Sequence, residues 1–134
     1  MGTLQLEVVT PDKTVVSGEV EMAVCPGIEG EFGVLPKHVS LLSALKAGGL
    51  RYKTPDGKEG HVFISGGFAD VNNDVLTVLA ESAEMAQDID TARAMAAKER
   101  AEKRIADHAE QIDAARAEAA LHRALIRLQV SQQR

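Results

Sequence analysis

Six arginines carry the chemistry most in need of explanation in this 134-residue chain. Arg93, Arg100 and Arg104 stand at spacing i, i+7 and i+11, and Arg116, Arg123 and Arg127 repeat that spacing further along. On an α-helix these offsets fall on one face, so each set forms a cationic stripe. A planar guanidinium binds a carboxylate or a phosphate through two parallel hydrogen bonds, which a lysine ammonium does less well. Six such groups in two matched stripes suit either an acidic protein segment or a phosphorylated small molecule. For any single arginine the plainer reading is a solvated face with local partners, such as Glu99 beside Lys103.

The stripes belong to an internal repeat. Residues 89–105, IDTARAMAAKERAEKRI, laid on residues 112–128, IDAARAEAALHRALIRL, are identical at ten of seventeen positions, and Ile105 meets Leu128. Asp90 and Asp113 each precede an alanine-rich run. That is N-cap chemistry, in which a carboxylate accepts free backbone N–H groups and suits the positive end of the helix dipole. The pattern predicts helices over about 91–105 and 114–130, joined by the polar stretch ADHAEQID. A short connection favours antiparallel neighbours, and alanine faces let the axes approach closely. Arg123 and Arg127 hold the same register in the second copy as Arg100 and Arg104 in the first. Antiparallel packing is therefore expected to bring both stripes to one side of the hairpin.

The elements that position these residues change character near residue 87. All eleven glycines, all four prolines and all four aromatics precede it, and 13 alanines follow it. Residues 1–87 carry six basic and twelve acidic side chains, a net −6, whereas residues 88–134 carry nine and eight, a net +1. A domain over 1–87 followed by a helical hairpin over 88–134 is predicted. In the first part, TLQLEVV, EVEMAVC, GLRYKT, HVFISGGFADV and DVLTVLAE read as strands, punctuated by Pro11-Asp12, Pro55-Asp56-Gly57 and Asn72-Asn73. The expected fold class is α+β: an N-terminal antiparallel β-sandwich or flattened barrel, then a C-terminal antiparallel two-helix hairpin. Gly66-Gly67 marks a bulge or a close backbone approach. GIEGEFGVLPKH, residues 27–38, lacks the Gly-Lys-Ser/Thr ending of a phosphate loop and reads as a surface loop.

Several function classes drop out. A net charge of −5 argues against sequence-independent nucleic-acid binding. No apolar run approaches the roughly 18 residues of a membrane span, and the N-terminus lacks the layout of a secretion signal. A soluble, cytoplasmic chain without direct membrane insertion is expected. The single cysteine, Cys25, excludes a disulfide framework and a cysteine zinc site, and reads as a small buried hydrophobe. His61, His108 and His122 share no metal-ligand spacing, and no nucleophile arrangement or paired catalytic carboxylates are visible, so no metal and no catalysis are expected.

The segments VVTPD, VEMAV, GEFGVLPKHVSLL, FISGGFADV, LTVLAESAE and DIDTARA occur in one order and at characteristic distances. In these the chain resembles, over essentially its whole length, the ε subunits of bacterial F-type ATP synthases. The resemblance implies a non-catalytic subunit at the foot of the rotor, peripheral at the cytoplasmic face of the bacterial inner membrane. It implies a β-sandwich that binds the γ subunit and the c-ring, and a helical hairpin that can unfold along γ and block ATP hydrolysis in the catalytic head. Some members also bind ATP on the folded hairpin through a motif Ile/Leu-Asp-x-x-Arg-Ala, which Ile89, Asp90, Arg93 and Ala94 match letter for letter. Glu84 stands where such members place an acid toward the adenine amino group, and Arg123 and Arg127 match the second-helix arginines near the phosphates. ATP is thus implied as a regulatory ligand, with no required cofactor. The loop carrying Glu29, Glu31 and His38 is implied at the γ and c-ring interface, although a hydrogen-bonded loop histidine and a plain helix cap at Asp90 are the bland alternatives. The competing function is a free-standing nucleotide-sensing module without a rotor partner.

Overall fold

Alternation in LQLEVV buries Leu4, Leu6 and Val8 and leaves Gln5, Glu7 and Val9 half-buried, the signature of a strand with one wet face. In the computed structural model, which describes the backbone of residues 2–106 and 111–133 and the side chains of 2–106 and 114–133, this segment is β1, Leu4–Val9. Nine further strands follow: β2 Thr14–Val20, β3 Met22–Gly27, β4 Gly30–Val34, β5 Leu41–Leu45, β6 Gly48–Lys53, β7 Glu59–Ile64, β8 Gly67–Asn72, β9 Val75–Ala80 and β10 Ala83–Met85. A 3-10 turn, Ala86–Asp88, leads into α1, Thr91–Ala106, and α2, Gln111–Ser131. The chain forms two units, Met1–Met85 and Ala86–Arg134.

The first unit is one ten-stranded sheet in the order β10-β7-β6-β3-β5-β8-β9-β1-β2, with β4 paired to β3. β3 joins β5 only through Gly27 and Leu45, so the sheet is hinged there into two halves. A single core draws Leu50, Val62 and Ile64 from one half and Leu4, Leu6, Val8, Val71, Leu76 and Val78 from the other, as a sandwich requires. Every strand pair is antiparallel except β1 with β9, which run parallel from Gln5–Val75 to Val9–Leu79.

Two expectations for this unit need correction. Residues 27–38 are not simply a surface loop, because Gly30–Val34 forms β4 and pairs with β3 from Ala23–Val34 to Gly27–Gly30. The two glycines of GEFGV weaken its intrinsic strand preference, and the ladder offered by β3 overrides it. HVFISGGFADV is also two strands rather than one. Gly66 and Gly67 have φ of 113° and 145°, and a Cβ on Gly67 would meet the Leu79 carbonyl oxygen at 1.9 Å. The glycine pair therefore turns the chain out of β7 and lets the backbone of β9 pass close by.

In the second unit α1 begins as predicted. Asp90 Oδ1 accepts the Arg93 N–H at 3.0 Å and the Asp90 carbonyl accepts the Ala94 N–H at 3.0 Å, the two bonds of an N-cap. α2 differs, since it starts at Gln111 and Asp113 stands inside its first turn rather than at its N-cap. The Asp113 side chain and most of the linking stretch lie outside the described residues. Ala94 and Ala101 on α1, and Ala117 and Ala124 on α2, are all buried at a spacing of seven. The two helices pack on each other through these methyl-sized residues, and the short link makes them antiparallel.

Candidate functional site

The motif residues on the hairpin are sorted by a single helical turn. Ile89 and Ala94 are buried, while Asp90 and Arg93 are exposed. On α2, Arg123 and Arg127 are half-buried one turn apart, with buried Ala124 following Arg123. Asp90 already occupies the anion position at the N-terminus of α1, because its carboxylate takes the Arg93 amide. The helix end is therefore neutralised from within, and guanidinium groups rather than free backbone amides are what this unit offers to a phosphate. Glu84 belongs to the first unit, half-buried in β10 opposite Phe63 of β7.

The two arginine stripes meet on one side of the hairpin through Arg116 of the second. Arg100 and Arg104 of α1 share a cavity of about 150 Å³ with Arg116 of α2, walled by Ala97, Ala101, Ala117 and Ala120. Arg123 and Arg127 do not line it. In an antiparallel pair each step toward the C-terminus of one helix is matched by a step back along the other. Residues in equal register of the repeat thus end up at opposite ends of the hairpin, and Arg116 becomes the neighbour of Arg100 and Arg104.

On the sandwich, Glu29 is exposed in the β3–β4 turn, and Glu31 on β4 lies 3.7 Å from Arg51 of β6. Both partners are more than half exposed, so this ion pair is weak in water. A cleft of about 580 Å³ beside them is lined by Ile28, Glu29, Glu31, Phe32, Leu42 and Ser43, among others. His38 Nδ1 is 2.7 Å from the Val39 carbonyl oxygen, which makes it a hydrogen-bonded loop histidine. The loop is held from outside. Lys37, in the left-handed region at φ 65°, donates its N–H to Asp74 Oδ1 at 2.5 Å, and Ser40 Oγ is 3.4 Å from Asn72 Oδ1. Asp74, at φ 60° in the β8–β9 turn, also accepts the Gln5 N–H through its carbonyl at 2.9 Å.

Sequence reasoning missed an apolar strip on the outer face of β5, β8 and β9. Phe68 and Leu79 are cross-strand partners, Ala44 pairs with Phe68, and Leu42 stands one pleat away opposite Asp70. Leu42, Phe68 and Leu79 are 72%, 56% and 53% exposed. The available signal was phase: Phe68 shares the outward phase of β8 with Asp70 and Asn72, where a solvated strand carries polar groups. Ile28, Leu35 and Val39 extend the exposed apolar surface at the loops.

Other candidates are settled more simply. Cys25 is fully buried, and its desolvation pushes the thiol up to about 12, which makes it inert. His61 Nε2 lies 3.7 Å from Glu59 Oε2, His122 is exposed, and His108 lies outside the described residues. Among the described residues no three His, Cys, Asp or Glu side chains are grouped to hold a metal, and no helix is long and apolar enough to cross a membrane.

Comparison with known proteins covers both units. Residues 3–86 match the family described as ATP synthase, Delta/Epsilon chain, beta-sandwich domain, and residues 87–132 match ATP synthase, Delta/Epsilon chain, long alpha-helix domain. The chain is 59% identical over 128 residues to the ATP synthase epsilon chain of Nitratidesulfovibrio vulgaris (strain DP4), covering 96% of this chain and 95% of that one. It is 48% identical over 132 residues to the ATP synthase epsilon chain of Brevibacillus brevis, covering 98% and 100%. Among solved structures, a chain in the cryo-EM structure of the Euglena gracilis mitochondrial ATP synthase, OSCP/F1/c-ring, is similar at a TM-score of 0.82 and 26% identity, covering 93% of this chain and 79% of that one.

Proposed function

Starting from a chain that belongs to the ATP synthase delta/epsilon family, in its epsilon branch, we propose that it works as a non-catalytic rotor subunit. Its sandwich docks the γ subunit and the c-ring, and its hairpin restrains ATP hydrolysis in the catalytic head. In this reading it lies peripherally at the cytoplasmic face of a bacterial inner membrane and requires no cofactor. The observation that carries the docking role is the outward apolar strip of Leu42, Phe68 and Leu79. Surface leucine and phenylalanine side by side across three strands are costly to leave in water and mark a face that meets protein. A free-standing nucleotide sensor has no use for such a face, so the strip favours the rotor reading over that alternative.

Regulation is assigned to the second unit. ATP binds the folded hairpin, with Asp90 toward the base and ribose and Arg93, Arg123 and Arg127 toward the phosphates. A ligand held by both helices stabilises their packed form in proportion to its differential affinity, and so opposes the extended, inhibitory form. The half-buried, adjacent Arg123 and Arg127 support this placement.

The docking reading is tested by Phe68→Glu with Leu79→Glu. Both side chains point outward, so the sandwich should stay folded while recovery of the chain with γ and the c-ring is lost. Undiminished recovery of a folded double variant would remove the strip from the interface.

A further inference from the structure

The loop between β4 and β5 is held by a turn thirty-seven residues away. Asn72 pairs with Val75, so β8 and β9 are joined by two residues alone, Asn73 and Asp74, at φ 50° and 60°. Two left-handed residues in such a hairpin make a type I′ turn, whose second position ordinarily holds glycine. Aspartate there is a poor choice for the turn taken by itself. Lys37, at φ 65°, is a second departure of the same kind, since left-handed backbone is costly for a residue with a long side chain. The two departures meet, because the Lys37 N–H donates to Asp74 Oδ1 at 2.5 Å. Backbone in sparsely populated regions persists where its surroundings over-determine it, and it gathers at functional surfaces.

Asp74 is itself fixed, as its carbonyl oxygen accepts the Gln5 N–H of β1 at 2.9 Å. Ser40 Oγ donates to Asn72 Oδ1 at 3.4 Å, a second tie from the same hairpin, and the His38 N–H donates to the Leu35 carbonyl oxygen at 3.2 Å. These bonds bury nothing apolar in the loop they hold. Val39, between the two ties, is 76% exposed, and Leu35 is 60% exposed. Fixing apolar side chains outward adds nothing to a core; it prepares a contact.

We propose that Asp74 is a positioning residue for docking: its carboxylate holds Lys37, and through it presents Leu35 and Val39 to the rotor in the conformation they keep when bound. This deepens the docking role given above and rests on it. A loop already in its bound conformation docks without an ordering cost, whereas one that adopts it about a tenth of the time docks about tenfold more weakly.

Asp74→Gly separates the turn from the clip, because glycine suits the left-handed turn and removes the acceptor. The variant should stay folded, with faster amide exchange at Lys37 and unchanged protection of Leu6 and Leu76. Affinity of the full chain for the assembled γ subunit and c-ring should fall about tenfold, the loss expected of a hydrogen bond to a charged group. Asp74→Asn keeps an acceptor oxygen and tolerates positive φ, so it should dock within about threefold of the wild type. Unchanged affinity of folded Asp74→Gly, even with faster exchange at Lys37, overturns the proposal and leaves Asp74 a turn anchor. An equal loss in Asp74→Asn overturns it as well. A wild-type chain that does not bind the rotor sinks the docking reading and the positioning role together, and that outcome is recognised without any change at residue 74.

Discussion

Each of the two units of this chain is held together internally by side chains of a different size. The sandwich closes on leucine, isoleucine and valine, with Leu6, Leu50 and Leu76 wholly buried. Within the hairpin the buried described helix positions are mostly alanines, Ala94, Ala101, Ala117 and Ala124, with Val130 and Ser131 at the end of α2. Burying a leucine side chain contributes about 1.5–3 kcal/mol and a single methyl group about 0.8 kcal/mol. Of the two, the hairpin opens at lower cost, which is the property its proposed regulatory role needs.

The largest effect separates the units from the sandwich side. Leu50→Ala should cost about 2–5 kcal/mol, seen as a lower denaturation midpoint for the β-sheet signal. Helix packing should be unaffected at denaturant concentrations where the native sandwich persists, and simultaneous loss of both would mean the units are not stabilised independently. On the other side, Ala117→Leu overpacks the helix contact and should destabilise the hairpin by about 1–3 kcal/mol. Amide exchange should rise in α1 while Leu6 and Leu76 keep their protection. In the assembled enzyme the same change should depress ATP hydrolysis, and faster hydrolysis would contradict the assigned role of the packed form.

Titration of one buried thiol sharpens the contrast. Cys25 in the folded sandwich is raised from the ordinary 9.0 to about 12, so above pH 9 the unfolded chain releases a proton that the folded chain keeps. The associated stability is fully present below pH 9 and declines as pH rises from 9 to 12. Over that window the slope should approach about 1.4 kcal/mol per pH unit. Cys25→Ala should flatten it, and an unchanged slope in that variant would assign the effect to other groups. The smallest effect is Asp90→Ala, which removes the cap of α1 and should cost about 1 kcal/mol. It should show as faster exchange at Arg93 alone, with the sandwich unmoved; a global change would join the two units energetically.

Much of this was legible because local chemistry and global fold agree. The Asp90 cap, the glycine pair at 66–67 and the turn after Asn72 each need a residue type that the position alone explains. What escaped was decided by neighbours. β10 is three residues, Ala83–Met85, with little strand preference, and it exists because β7 presents a free ladder. LLSAL lacks alternation, yet it becomes β5 because β8 pairs with it along its whole length. The repeat made the meeting of both arginine stripes on one side of the hairpin legible, and antiparallel geometry selects Arg116 as the neighbour of Arg100 and Arg104. For Glu29, Glu31 and His38, sequence located the loop but not its anchor. Asp74 lies thirty-seven residues from Lys37, and only the fold brings them together.

The one parallel pair has a consequence for how the protein is made. β1 leaves the ribosome first, but its partner on β9 follows much later, Leu6 waiting seventy residues for Leu76. Until then one edge of a strand rich in valine and leucine is unpaired, the situation in which nascent chains join the wrong partner. Ala101 and Ala117 are only sixteen residues apart and meet by local collapse. Closure of the β1–β9 ladder is accordingly the slow, long-range event of biogenesis, and the hairpin is the fast one. In the nascent chain that edge of β1 stays exposed until β9 has been synthesised, and both helices are made later still.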